Sequence, residues 1–151
     1  MNHLKRFITF IIVLLSINAF GQNLEENQVP KIIKDSFKQK YPDAYVYEWE
    51  YKRQHKIYEA EFIAKGNKYE SYFTHEGVWV KTERDIKKEE LPQNIWEALT
   101  KTEYAHWKVD DIEEHNTPEH GILYELELKD SKKKVYLYFL PDGSIIDKYI
   151  K

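Results

Sequence analysis

The sequence predicts an α+β protein made of two tandem repeats. Each is a helix followed by four antiparallel strands, and the two are joined into one sheet with both helices on one face. Three observations lead there. A run of residues recurs at a fixed offset: Tyr58-Glu59-Ala60-Glu61-Phe62, then Tyr72-Phe73 and Gly77, return as Tyr124-Glu125-Leu126-Glu127-Leu128, Tyr138-Phe139 and Gly143, each displaced by 66. A fixed offset over three separate features marks an internal duplication. Within each copy the apolar period changes from helical to alternating, in the same order. The alternating runs are separated by short turns, which favour antiparallel neighbours.

The elements follow in order. Residues 22–28 read as a polar lead-in. The first repeat, 29–83, opens at Val29-Pro30, proline being tolerated in a first helical turn because its missing N–H would be unpaired there anyway. Val29, Ile32, Ile33, Ser36, Phe37 and Tyr41 give one helical stripe. Tyr41-Pro42-Asp43 stops it, since the residue before proline is pushed out of the α region. Ala44–Tyr51 alternates, so Tyr45, Tyr47, Trp49 and Tyr51 are expected on one face, with Ala44, Val46, Glu48 and Glu50 on the other. Ile57–Ala64 alternates again, Gly66-Asn67 is a hairpin signal, and Tyr69–Thr74 and Val78–Glu83 complete four strands.

Residues 84–90 are charged and read as the connection. The second repeat, 91–151, restates the first: Leu91-Pro92, then the stripe Leu91, Ile95, Ala98, Leu99 and Thr102. Ala105 restates Ala44 at an offset of 61. Trp107–Glu113, Ile122–Leu128, Val135–Leu140 and Ser144–Ile150 are its strands. The extra residues are expected in a loop, Glu114–Gly121, between the first two of them. A unit of about 60 residues is marginal alone. Edge-to-edge joining would cover two exposed strand edges.

The N-terminus reads as a signal peptide over residues 1–21. Lys5 and Arg6 precede the apolar run Phe7–Ile17, and Ala19-Phe20-Gly21 supplies the small residues of a cleavage site. The run is shorter than the roughly 20 residues of a spanning helix. The expectation is export to the periplasm or beyond, soluble after cleavage near Gly21, with no membrane association. The removed segment carries two basic residues and no acid, leaving 21 basic against 26 acidic, a net charge of −5. That argues against nucleic-acid binding, which needs a basic face. With no cysteine there are no disulfides, thiol nucleophiles or thiolate metal sites.

Val-Pro before a helix, Tyr41-Pro42-Asp43-Ala44 after it, a Tyr-Glu-x-Glu strand, then Tyr-Phe and a glycine turn resemble the PepSY-like family, the group described as β-lactamase-inhibitor-like. The second copy matches through Leu91-Pro92, Ala105, Tyr124–Leu128, Tyr138-Phe139 and Asp142-Gly143, but has Lys101-Thr102-Glu103-Tyr104 where the first has Lys40-Tyr41-Pro42-Asp43, so its helix is expected to run on or to end differently. The resemblance implies an exported tandem-repeat protein. It also implies a likeness to the β-lactamase inhibitor protein and to protease propeptides, both of which bind an enzyme and block it.

No catalytic residue is assigned and no enzyme is expected: there is no Gly-x-Ser-x-Gly elbow or phosphate-binding loop, and no serine is paired with a base in a recognisable motif. No cofactor is expected. His106, His115 and His120, with Asp110, Asp111, Glu113 and Glu114 nearby, lack metal-ligand spacing and read as a solvated acidic strand and loop, so no metal is assigned. Glu59, Glu61, Glu125 and Glu127 resemble acid/base pairs. Alternation makes them the wet side of half-buried strands instead. The candidate binding residues are aromatic: Tyr45, Tyr47, Trp49, Tyr51, Tyr72, Tyr136 and Tyr138. Tyrosine and tryptophan are enriched at protein interfaces.

The function expected is therefore a secreted, non-enzymatic module that binds a protein or peptide with the helix-free sheet face, enzyme inhibition being what the resemblance suggests. An envelope sensor of a small ligand or metal, and a structural protein that self-associates along terminal strand edges, are the alternatives.

Overall fold

The structure, a computed structural model, describes residues 21–151; the signal-peptide expectation lies outside these residues apart from Gly21. Among the described residues, two helices and a single nine-stranded antiparallel sheet make the fold α+β, with strands neighbouring in chain order from β1 to β9. The strands are β1 (Gln22–Leu24), β2 (Tyr45–Lys52), β3 (Ile57–Ala64), β4 (Asn67–Thr74), β5 (Trp79–Asp85), β6 (Lys108–Thr117), β7 (Gly121–Asp130), β8 (Lys133–Phe139) and β9 (Ile145–Ile150). The helices are α1 (Lys31–Lys40) and α2 (Gln93–Leu99). Among the described residues no helix is long and apolar enough to cross a membrane.

Contacts divide the chain into two compact units, one reaching Gly66 and adding Glu70–Val80, the other made of Asn67–Tyr69 and Lys81–Lys151. In the first, Pro30 stands just ahead of α1 and its carbonyl accepts from the Ile33 and Lys34 amides. Ile33 and Phe37 are the buried stripe. Phe37 meets Trp49, Phe62 and Phe73 edge-on at ring-centroid distances of 5.6, 5.0 and 6.2 Å. Tyr41 lies 4.7 Å from Phe62. The expected lead-in is not loose: Gln22–Leu24 pairs with Trp49–Tyr51 and Glu26–Gln28 forms a 3-10 turn.

In the second unit Pro92 opens α2 in the same way, and Ile95 and Leu99 are its buried residues. The helix is shorter and ends at Leu99, followed by successive turns through Ala105. Its core is mostly aliphatic: Ile95, Leu99, Ile112, Leu126, Leu128, Val135 and Leu137, with Tyr104, Tyr124 and Phe139. β5 runs on to Asp85, into the expected connection, and Thr82–Asp85 pairs with Glu113–Asn116. The Arg84 guanidinium then bridges Glu114 and Glu90, each at 2.9 Å. That pins the 3-10 turn Lys88–Glu90 to β5 and β6.

The expected loop Glu114–Gly121 is instead a long hairpin, since β6 continues to Thr117 and β7 starts at Gly121. Each unit also carries a β-bulge in its first long strand, between Val46 and Glu48 and between Val109 and Asp111. These bulges set the true alignment of the copies at an offset of 63, because Val46 faces Phe62 as Val109 faces Leu128. Two of the extra residues therefore lie ahead of β6 and three lengthen the hairpin.

Candidate functional site

Residues directly opposite in an antiparallel ladder project from the same face. In the second unit Glu83 pairs with His115, Glu113 with Glu125, Glu125 with Tyr138, and Tyr138 with Asp147. These residues share one face of β5 to β9. The other face carries Ile112, Leu126 and Leu137, which pack with Ile95 and Leu99 of α2. The charged face is thus the one its helix does not cover. It is nonetheless dry at its centre: His115 and Tyr138 are each only 1% exposed, and Lys81 and Glu125 are buried with them.

His115 is the hub. Its Nε2 lies 2.9 Å from Glu113 Oε2 and 3.4 Å from Glu125 Oε2, and its Nδ1 lies 3.4 Å from Glu83 Oε2. Glu83 also receives the Lys81 ammonium. A ring with carboxylates at both nitrogens is best satisfied as the doubly protonated imidazolium. Burial and the Lys81 charge oppose that state, but the hydrogen bonds to Glu113 and Glu125 and the charge of Glu83 prevail, and the His115 pKa is pushed up to about 9. Burial likewise opposes the Lys81 charge, and Glu83, with Glu113 and Glu125, outweighs it and raises its pKa. Glu113 is raised by burial, with its like-charged neighbours Glu83 and Glu125 adding to the shift. The Tyr138 hydroxyl is held protonated by burial and by the Glu125, Glu113 and Asp147 charges, but it makes no aligned hydrogen bond with Glu125.

The first unit holds the same constellation with one change. Glu50 pairs with Glu59 on β2 and β3, as Glu113 pairs with Glu125. Lys52 stands where the second unit has His115. Its ammonium lies 2.5 Å from Glu50 and 2.8 Å from Glu59. Burial alone would lower the Lys52 pKa, and the two carboxylates raise it. Glu59, by contrast, is pushed up to about 8, because burial and the nearby Glu70 and Glu50 charges outweigh what Lys52 returns. The two shifts are consistent: Lys52 gains from two carboxylates, while Glu59 shares its one cation with Glu50. Tyr72 occupies the place of Tyr138 and donates to Glu70 at 2.6 Å. Tyr47 donates to Glu61 at 3.0 Å and is pushed up to about 12, burial acting first and the Glu61 contact second.

The seven aromatic candidates do not form one surface. The bulge in β2 puts Tyr47 and Glu48 together opposite Glu61, so alternation restarts there. Tyr45 and Tyr47 project from the carboxylate face, while Trp49 packs against Phe37 under α1 and Tyr51 stacks on Tyr58 at 4.7 Å. The expected single face for Tyr45, Tyr47, Trp49 and Tyr51 is therefore corrected. Tyr72, Tyr136 and Tyr138 are on the carboxylate face of their units, with Tyr136 6.1 Å from Tyr149, but Tyr72 and Tyr138 are buried.

Two further expectations change. Glu59 and Glu125 are buried, so that face is not simply wet, and His115 is the most enclosed polar residue of a charged cluster rather than part of a solvated strand. One signal in the chain pointed to them: Glu50-x-Lys52 recurs as Glu113-x-His115, at the offset of 63 that the bulges define. Among the described residues, three groups of side chains bring donor atoms within 4.8 Å of one another: Glu83–Glu113–His115, Asp85–Asp111–Glu113 and Glu48–Glu50–Glu61. Only the first includes a nitrogen.

The chain matches the family described as "Putative beta-lactamase-inhibitor-like, PepSY-like" over residues 16–66 and 56–147. No curated protein matches. Among solved structures, a BLIP-like protein from Bacteroides fragilis is 28% identical, with a TM-score of 0.70 over 80% of this chain and 85% of that one. A DUF2874 family protein from Bacteroides uniformis is 22% identical, with a TM-score of 0.71 over 81% of this chain and 89% of that one. A protein from Bacteroides eggerthii described as "putative periplasmic" is 21% identical, with a TM-score of 0.68 over 81% of this chain and 88% of that one.

Proposed function

The chain belongs to the PepSY-like, beta-lactamase-inhibitor-like family, and we propose that it is an exported, non-catalytic module that binds a protein or peptide with the helix-free sheet face of its units. The observation that carries this reading is the exposure of large aromatic side chains on that face. Tyr45 is 70% exposed and Tyr47 39% in the first unit, and Tyr149 is 40% exposed in the second. Tyr47 is held by its hydrogen bond to Glu61 and Tyr149 by its ring contact with Tyr136, and such ordering before a partner arrives lowers the entropy lost on binding. Export is supported by the N-terminal charge and hydropathy pattern and by the description of the Bacteroides eggerthii relative. The non-catalytic reading is supported by the way the buried acids are engaged with Lys52, Lys81 and His115 rather than presented to a substrate.

The test is capture from an envelope extract with the immobilised chain, followed by a direct binding measurement on each captured protein. The double variant Tyr45→Ala/Tyr47→Ala is expected to lose at least tenfold in affinity, whereas Lys31→Ala on the exposed side of α1 changes nothing. Equal binding by all three chains would remove this face as the recognition surface. Any captured hydrolase is then assayed for inhibition.

A further inference from the structure

We propose that the second unit forms a symmetric dimer with a second copy of this chain, β9 pairing antiparallel with β9 about Tyr149. β9 is an outer strand of the sheet, and an open strand edge is a template for another strand. The apolar exposure of the second unit is gathered there. Among its described residues the exposed large apolar side chains are Ile145, Tyr149 and Ile150, the last at 58%, and all three lie on β9. The duplication shows what such an edge accepts. β5 is the matching strand at the offset of 66, and over Thr82–Asp85 its outer side carries an antiparallel strand, β6. The residues of the second copy that match Thr82–Asp85 are Lys148–Lys151.

The hydrogen-bonding directions and the charges select one register. The Lys151 amide donates to the Lys134 carbonyl of β8 at 3.0 Å, so it points into the sheet. Successive residues of a strand point their main-chain groups to opposite sides, so those of Lys148 and Ile150 face outward. The Lys148 amide accordingly donates to the Asp147 carboxylate, at 2.7 Å. A two-fold axis normal to the sheet keeps each face on its own side, so a residue opposes itself or one an even number of positions away. Centring the axis on Tyr149 sets Lys148 opposite Ile150, where the copies exchange both main-chain hydrogen bonds of each pair. It also sets Asp147 opposite Lys151. Centring it on Asp147 or Lys148 brings like charges together, which is destabilising. Of the registers centred from Ile146 to Ile150, only the one about Tyr149 pairs opposite charges. Tyr149 then faces its own copy in a non-hydrogen-bonded pair, where side chains lie closer. Tyr136, 6.1 Å from Tyr149, extends the row of rings on both sides.

Head-to-tail association is disfavoured by the same residues. In it, β9 of one copy would add to β2 of another as β6 lies beside β5. The offsets of 66 and 63 then put Lys148 opposite Arg53, like charges, and Tyr149 opposite Lys52. The better positions, opposite Tyr51 and Glu50, are already held by Gln22 and Asn23 of β1. The symmetric pairing closes on itself, giving a dimer and not a filament. Its axis leaves the helix-free faces of the two second units on the same side, which suits bivalent binding. One strand pair buries less than a standard interface, so the dimer is a weak one.

The test is sedimentation velocity on the chain from Gln22 onward, from low micromolar to millimolar concentration. A reversible monomer–dimer equilibrium is expected. Asp147→Lys sets lysine opposite Lys151, and Lys151→Asp sets aspartate opposite Asp147. Each variant alone should dimerise about tenfold more weakly, because two attractive cross-strand pairs become repulsive. An equimolar mixture of the two restores both pairs and should dimerise as the unaltered chain does. Ile150→Pro removes an outward amide without touching the bonds to β8, and should leave a monomer. Circular dichroism identifies any variant that does not fold, and Lys151→Asp, at an exposed position, then decides against the unaltered chain. A monomer throughout the range, larger oligomers, dimers indifferent to these changes, or a mixture no tighter than its components overturns the proposal. It does not depend on the partner-binding reading, because sedimentation uses no partner and the capture test alters no residue of β9.

Discussion

Two copies of one buried constellation, a carboxylate pair, a base and a tyrosine, have been completed differently in the two units. In the first the base is Lys52, whose flexible ammonium reaches Glu50 and Glu59 together. In the second it is His115, a rigid ring that meets Glu113 closely, stays 3.4 Å from Glu125, and has a second nitrogen that engages Glu83. The same replacement of reach by rigidity is absent from the cores, where the change is one of volume: Phe37, Trp49 and Phe62 correspond to Leu99, Ile112 and Leu128. The comparison teaches that the duplication keeps position and charge type, while the identity of the base decides how many carboxylates it engages and from which sides: two by one ammonium in the first unit, three around a ring in the second.

The strongest way to break this comparison is to remove the base. His115→Leu leaves Glu83, Glu113 and Glu125 facing Lys81 alone, and breaking a buried pair by deleting one partner costs about 3–5 kcal/mol. His115→Lys imports the first unit's solution and is expected to cost only about 1–2 kcal/mol. Urea denaturation of both variants beside the unaltered chain near neutral pH measures both. If leucine and lysine were equally costly, the two sites would not be versions of one another.

A smaller effect separates the units by pH. Glu59 has a folded pKa near 8 against an ordinary value of 4.5. A carboxyl whose pKa is raised on folding contributes stability that is fully present below its unfolded value and lost as pH rises through the folded one. Stability of the first unit should therefore decline between about pH 4.5 and 8, on the order of 2 kcal/mol after allowance for the Lys52 pairing. Glu59→Gln should flatten that slope and be the more stable chain at pH 9. Parallel pH profiles for wild type and Glu59→Gln would show that Glu59 remains ionised beside Lys52.

Much of this organisation was legible in the chain. The Tyr58–Phe62 and Tyr124–Leu128 repeat identified the duplication, and alternation assigned Glu125 and Leu126 to opposite faces, as the ladder has them. What alternation cannot report is whether a face is covered, so Glu59 and Glu125 read as wet. A single extra residue in β2 redirected Tyr45 and Tyr47 relative to Trp49 and Tyr51, and nothing in the composition of Val46–Glu48 announces a bulge. The short strand Gln22–Leu24 has no alternation long enough to detect and exists only because it pairs with Trp49–Tyr51. The charge hub at His115 needed β5, β6 and β7 to be brought together, and that is tertiary information.

The smallest difference between the units lies in their glycine turns, which alternation-based reading treated as equal. Gly77 has a φ of +81° and Gly143 one of +88°, so alanine is strained at both. Their surroundings differ. A Cβ at Gly77 would approach Ile32 Cγ1 and Ser36 Oγ, both at 2.9 Å, side chains on α1 that can turn away, Ile32 being half exposed, while the backbone atom it meets, the Ile32 carbonyl oxygen, is farther off at 3.2 Å. A Cβ at Gly143 would meet the Asn94 carbonyl oxygen at 2.9 Å, which is backbone of α2 and is further fixed because the Asn94 amide donates to the Pro141 carbonyl. Gly77→Ala should cost about 1 kcal/mol for the left-handed conformation alone. Gly143→Ala should cost about 2 kcal/mol or more, since α2 must shift as well. Thermal denaturation of the two variants side by side ranks them. Equal losses would mean that α2, the shorter helix, yields as readily as a side chain, and that the second unit is held by its aliphatic core and charge hub rather than by the seating of its helix.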